Sequence, residues 1–241
     1  MRAETRHQLK QDKFSRTTLQ VAEQTVHWTA EHKSKLIVVG VAVVVVVAAV
    51  LGTWFYLEKQ DEKASVDFTK AVSTLNSPIR PAGMPPQPEY PSFASVNERA
   101  TEAHKEFQSI VDKYPHTHAA DYARYFLGVS SSQLGNYAAA ESELKPVSEY
   151  HNAELSSLAK AALASVYRNM NRNKDAIDLY KQLIQNPTTT VGKSSAEIQL
   201  AETYQAAGMN ADAKKMYEQI SKESPQSQAA QFATGKLEQM K

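Results

Sequence analysis

Few residues in this chain are of a kind that does chemistry, and they are scattered. His116 and His118 flank Thr117 in Tyr114-Pro115-His116-Thr117-His118. Two imidazoles so close together could begin a metal site, but a site needs three or four ligands, and no carboxylate is placed to converge on this pair. They read as solvated loop histidines. Ser130-Ser131-Ser132 supplies hydroxyls without the Gly-x-Ser-x-Gly setting that exposes a nucleophile on a sharp turn. Glu141, Glu143 and Glu154 read as charges on helix surfaces. Cysteine is absent, which removes disulfides, thiolate nucleophiles and thiolate metal sites. The eight glycines form no phosphate-cradling fingerprint. No acid/base pair, triad, metal set or cofactor site follows, and an enzyme is not expected.

The elements that could carry function are helical. From Leu36 to Leu57 no residue is charged, and the stretch includes Val43–Val47. At about 1.5 Å per residue it would be roughly 33 Å long as a helix, enough for a hydrocarbon core of about 30 Å. A buried core helix of that length would show a polar face, and this one shows none. The flank before it is too long for a secretory n-region, and it ends in Trp54-Phe55-Tyr56 rather than at a small-residue cleavage site. It is expected to be an uncleaved transmembrane anchor.

Residues 1–35 carry seven Lys/Arg, while 58–75 carry only Lys59, Lys63 and Lys70. The positive-inside rule then places the arm 1–35 in the cytoplasm and 58–241 outside it. Phe14, Leu19, Val21, Val26 and Trp28 suggest either a helix along the inner headgroups or a partly ordered arm. Residues 1–57 hold seven of the 27 cations and four of the 26 anions, so the remainder is slightly acidic. That balance offers no footprint for nucleic acid.

Past the anchor, 58–76 continues a helical apolar pattern through Val66, Phe68, Ala71, Val72 and Leu75. Six of the ten prolines then fall between Ser77 and Phe93, which predicts an extended linker over 77–96. Residues 97–241 are helical and repetitive. Leu127-Gly128, Leu163-Ala164 and Leu200-Ala201 recur at intervals of 36 and 37. Small residues follow at Ala140, Ala176 and Ala213, with Leu144, Tyr180 and Tyr217 four positions on. Pro115, Thr117, Ala119, Ala120, Ala123 and Leu127 return as Pro225, Ser227, Ala229, Ala230, Ala233 and Leu237, all offset by 110.

These residues resemble the tetratricopeptide repeat, in which hairpins of two helices stack through small residues at close crossings. The fold expected is all-α: an N-terminal transmembrane helix followed by a solenoid of three full repeats, with half-units at both ends. The opening Trp of the repeat is missing, and Pro146 should kink or shorten its helix. Ala103, Phe107 and Ile110 match a second helix whose partner must be either the linker or the displaced 58–76 helix.

The resemblance implies a groove lined by the first helices. It names Tyr122, Tyr125, Val129, Ser132 and Gln133 in the first repeat. Leu158, Ala161, Ser165, Arg168 and Asn169 follow in the second, then Ser195, Ile198, Glu202, Gln205 and Ala206 in the third. Tyr122 and Tyr125 would be its anchors or, equally, would pack against the half-repeat before them. The whole layout is similar to the YfgM-like family of bacterial inner-membrane proteins, which implies an ancillary translocon subunit that escorts secretory clients. The turns resemble as well those of envelope-assembly and cell-division proteins, which leaves open a scaffold for that machinery. Protein partners are expected under either reading; a cofactor or small-molecule substrate is not.

Overall fold

The computed structural model describes residues 33–85 and 92–240. The cytoplasmic-arm expectations and the centre of the proline cluster lie outside those residues. Among the described residues there are nine helices and no strand. The chain divides into two compact units, Met1–Tyr56 and Leu57–Lys241.

Helix α1 (Lys33–Asn76) contains the apolar run. Its residues 33–56 are all exposed, the valines and Trp54-Phe55-Tyr56 among them. It is long and apolar enough to cross a membrane, with a mean hydropathy of 3.0 in its most apolar window.

In the second unit, residues 57–76 of α1 supply the first helix of the opening hairpin. Ala64, Ala71 and Leu75 are buried. Ala71 and Leu75 share a core with Ala103, Phe107 and Ile110 of α2 (Val96–Lys113) and with Ala120, Ala123 and Leu127 of α3 (His118–Gln133). The displaced helix, rather than the proline linker, therefore partners α2. Two polar contacts reinforce the docking: Tyr114 Oη donates to Asp67 Oδ2 at 3.2 Å, and the Ala119 amide donates to Asp61 Oδ1 at 3.3 Å. Residues 77–85 and 92–95, the described ends of the linker, lie between the two helices in the chain. These ends are pinned by Arg80 N–H to the Phe93 carbonyl at 2.9 Å and Phe93 N–H to the Pro78 carbonyl at 3.1 Å.

Three hairpins and a cap follow: α3 with α4 (Tyr137–Val147), α5 (Ala153–Asn169) with α6 (Asn173–Gln185), α7 (Lys193–Ala206) with α8 (Asn210–Glu223), and α9 (Gln228–Gln239). Helix α4 stops one residue after Pro146, at 11 residues. Its counterparts run to 13 and 14. Each first helix ends in a left-handed residue: Gly135 (φ 75°), Asn171 (φ 61°) and Gly208 (φ 74°). The six-to-one bonds of a Schellman cap close all three turns, from Asn136 N–H to the Ser131 carbonyl, Arg172 to Tyr167 and Met209 to Tyr204. The 110-residue offset is also a structural identity. Thr117 caps α3 by accepting from the Ala120 amide, and Ser227 caps α9 by accepting from the Ala230 amide.

The small residues sit at the crossings. Ala140, Ala164, Ala176, Ala201 and Ala213 are fully buried. A Cβ on Gly128 would lie 2.3 Å from Leu144 Cγ, so α3 and α4 approach too closely for any side chain there. Tyr180 and Tyr217 fill the corresponding spaces in later hairpins and are almost wholly buried.

Candidate functional site

Successive first helices α3, α5, α7 and α9 approach one another directly, while among the described residues no second helix approaches another second helix. Shorter spacing on one side of a stack curves it toward that side, so the first helices form an inner layer. The named groove positions lie on this layer.

The structure treats those positions unequally. Tyr122 leans on the opening hairpin, its ring 6.3 Å from Phe68. Tyr125 meets Phe126 edge-on at 5.0 Å, and burial pushes its phenol pKa up. Phe126 stacks on Phe107 at 5.0 Å and an interplanar angle of 11°. Both tyrosines are thus half-buried at the margin of an aromatic core. Val129 is likewise half-buried, and Asn169 is exposed.

Arg168 and Glu202 come together between α5 and α7. Arg168 Nη1 stands 3.7 Å from Glu202 Oε2 and 3.5 Å from Gln199 Oε1. Gln205 Oε1 accepts from Tyr217 Oη at 2.9 Å. Burial raises the Tyr217 phenol to about 12, with the Glu202 charge adding to the effect. Burial also raises the Tyr180 phenol, with the Arg168 charge opposing the shift and the Glu202 charge adding to it. Arg168 and Glu202 are therefore paired with each other, and Gln205 is held by Tyr217.

The other chemistry-bearing residues are structural. His116 is exposed in the turn before α3, and His118 is exposed at the first residue of that helix. Among the described residues no three His, Asp or Glu gather as metal ligands. Ser130 and Ser131 are buried, and Ser130 Oγ lies 3.1 Å from His104 Nδ1 across the α2–α3 contact. Glu141 is half-buried and pairs with Arg172 through both oxygens, at 2.9 and 2.8 Å, while the Arg172 guanidinium lies 4.2 Å over the Tyr167 ring. This clasp joins the first and second hairpins. Glu154 holds the long turn before α7, accepting from Thr190 N–H at 2.9 Å and Thr190 Oγ1 at 2.8 Å. Those bonds depress its pKa to about 2.

The model of the tetratricopeptide repeat-like domain matches residues 26–241. The chain belongs to the tetratricopeptide repeat-like domain family. Among curated proteins it finds no match. Tetratricopeptide repeat domains generally bind other proteins and are typically non-enzymatic scaffolds. A protein-interaction module is therefore the function that the family and the inner layer share.

Two features of this repeat domain were missed by motif reading. Glu197 stands in α7 where the repeat pattern has its Trp, and it is 1% exposed. Its Oε2 lacks a hydrogen-bond partner, and burial raises its pKa. Phe232 on α9 occupies the place that Tyr122 holds on α3. The 110-residue offset, carried two residues on from Ala120 and Ala230, would have found it.

Proposed function

We propose that this protein is a membrane-anchored protein-binding module, held by Leu36–Leu57 in a bacterial inner membrane, with its repeat domain on the periplasmic side. The observation that carries the reading is the pairing of two surfaces. One is the exposed apolar stretch of α1, and the other is an inner layer of repeat helices with half-exposed Tyr125, Leu158 and Ile198. The first suits lipid and the second a polypeptide partner. The excess of cations before the anchor supports the orientation. The resemblance to the YfgM-like family makes an ancillary translocon or chaperone-type subunit for envelope proteins the preferred role. A scaffold for envelope-assembly or cell-division machinery is the rival, and a fixed set of folded partners would favour it.

Crosslinking the full-length protein in intact membranes, followed by identification of the captured proteins, tests the reading. Capture of translocon components together with varied secretory proteins is expected. Capture confined to cytoplasmic proteins, or extraction of the protein from membranes by carbonate, would refute it.

A further inference from the structure

A carboxylate with a poor share of its partners lies inside the third hairpin. Glu197 is buried, whereas the Lys193 and Glu223 side chains beside it are 44% and 39% exposed. Lys193 Nζ stands 3.4 Å from Glu197 Oε1 but 2.8 and 3.0 Å from the two oxygens of Glu223. Gln219 Nε2 divides the same way, at 3.5 Å from Glu197 Oε1 and 2.9 Å from Glu223 Oε1. Both donors favour the carboxylate at the surface, and Glu197 Oε2 accepts from no group among the described residues.

The charges that act on the buried carboxyl are Lys193, on its own helix, and Glu223, on α8. The side chains that α5, α6 and α9 bury include no carboxylate and no cation. The titratable side chains buried in α5, α6 and α8 include Tyr167, Tyr180 and Tyr217, whose phenols burial raises further. They stay protonated across the acid and neutral range.

An ionised carboxylate so placed carries a desolvation cost that its neutral form escapes. Burial therefore raises the Glu197 pKa, the Glu223 charge adds to the shift, and Lys193 opposes it. When the hairpin opens, the carboxyl returns to water and to its ordinary 4.5. Between 4.5 and the raised value the closed form holds a proton that the open form lacks. Closure is thus weakest at neutral pH and strengthens as pH falls through that window. Glu223 acts only at lower pH: Lys193 and Gln219 hold its carboxyl below 4.5, so its contribution is intact until the pH drops beneath that value. Stacked hairpins meet only their neighbours, so one can open without the rest unfolding.

We propose that Glu197 makes the α7–α8 hairpin a pH-responsive element of the stack, loosened at neutral pH by a buried carboxylate that shares one cation with Glu223, and tightened in mild acid when that carboxylate takes up a proton. The device stands on the side chains of this hairpin and not on the inner layer's role; an exported domain would carry it into the pH of its surroundings.

Hydrogen exchange of the full-length protein in lipid nanodiscs, followed by mass spectrometry and corrected for the intrinsic rate at each pH, tests it. At pH 7.5 the amides of α7 and α8 should be less protected than those of α5 and α6, and at pH 5.0 their protection should rise about fivefold. Glu197→Gln should hold the higher protection at both pH values. Glu223→Gln, at the surface, leaves Lys193 to Glu197 alone and should shrink the rise to about twofold. Equal protection of the two hairpins at pH 7.5 overturns the local opening. A rise that is absent in the unaltered protein, or that persists in Glu197→Gln, overturns the role of Glu197. A rise undiminished in Glu223→Gln overturns the shared cation.

Discussion

Replacing Gly128 by alanine sets two opposed effects against each other. In an unobstructed helix interior the exchange stabilises by about 1 kcal/mol, because glycine is the poorer helix former. At Gly128 the new methyl would lie 2.3 Å from Leu144 Cγ and 2.7 Å from Leu144 Cδ2. Leu144 is fully buried and has nowhere to swing, so the hairpin must open or the leucine must leave its rotamer. Overpacking of this kind costs about 1–3 kcal/mol. The net expectation is a loss of about 0–2 kcal/mol, and for a unit of this size each kcal/mol moves Tm by about 2–4 °C. Gly235→Ala is the control, since a Cβ there meets nothing within 4 Å and should raise Tm by about 2–4 °C. Thermal unfolding of the Leu57–Lys241 unit, followed by circular dichroism, measures both. Adding Leu144→Ala to Gly128→Ala should cost less than the sum of the single changes, because the new methyl fills part of the vacated space. If Gly128→Ala stabilises as much as Gly235→Ala does, the α3–α4 crossing is not where the structure has it.

Ala176→Leu and Ala213→Leu should each cost about 1–3 kcal/mol in chemical denaturation, since both alanines are fully buried at hairpin crossings. Asn171→Ala should cost about 1–2 kcal/mol while Asn171→Gly is neutral or stabilising, because the position has φ 61°. The Glu154 carboxyl is held below its ordinary 4.5, at about 2, by bonds from Thr190 and Thr189. The stability it contributes is therefore complete above pH 4.5 and lost as pH falls toward 2. Tm measured over that range should fall more steeply in the unaltered protein than in Glu154→Gln, and parallel curves would refute the assignment.

The repeats were legible because close helix crossings demand small residues, and Gly128, Ala164 and Ala201 recur with the anchoring leucines before them. The apolar run was equally plain, as no amphipathic alternative produces 22 uncharged residues. The opening hairpin was only half legible. Its first helix follows directly on the apolar run, and prolines occupy the expected place beside α2, so periodicity alone could not choose between them. The turn at Asn171 was hidden because Asn replaces the Gly seen at 135 and 208, although Asn tolerates the same left-handed conformation. The paired state of Arg168 and Glu202 depends on the spacing of two hairpins, which no local pattern encodes. Glu197 defeats sequence reasoning altogether, since an acid in a polar helix reads as solvated until its burial is seen.

Site-specific photocrosslinking in living cells tests the central claim most directly, that the inner layer of an exported repeat domain receives polypeptide partners. A benzophenone side chain at Tyr125 or Ile198 would probe that layer, and one at the exposed Lys181 of α6 or Lys215 of α8 would probe the outer helices. The account predicts adducts with envelope-destined proteins from Tyr125 and Ile198 and few from Lys181 and Lys215. Adducts concentrated at Lys181 and Lys215, with none from the inner layer, would contradict it.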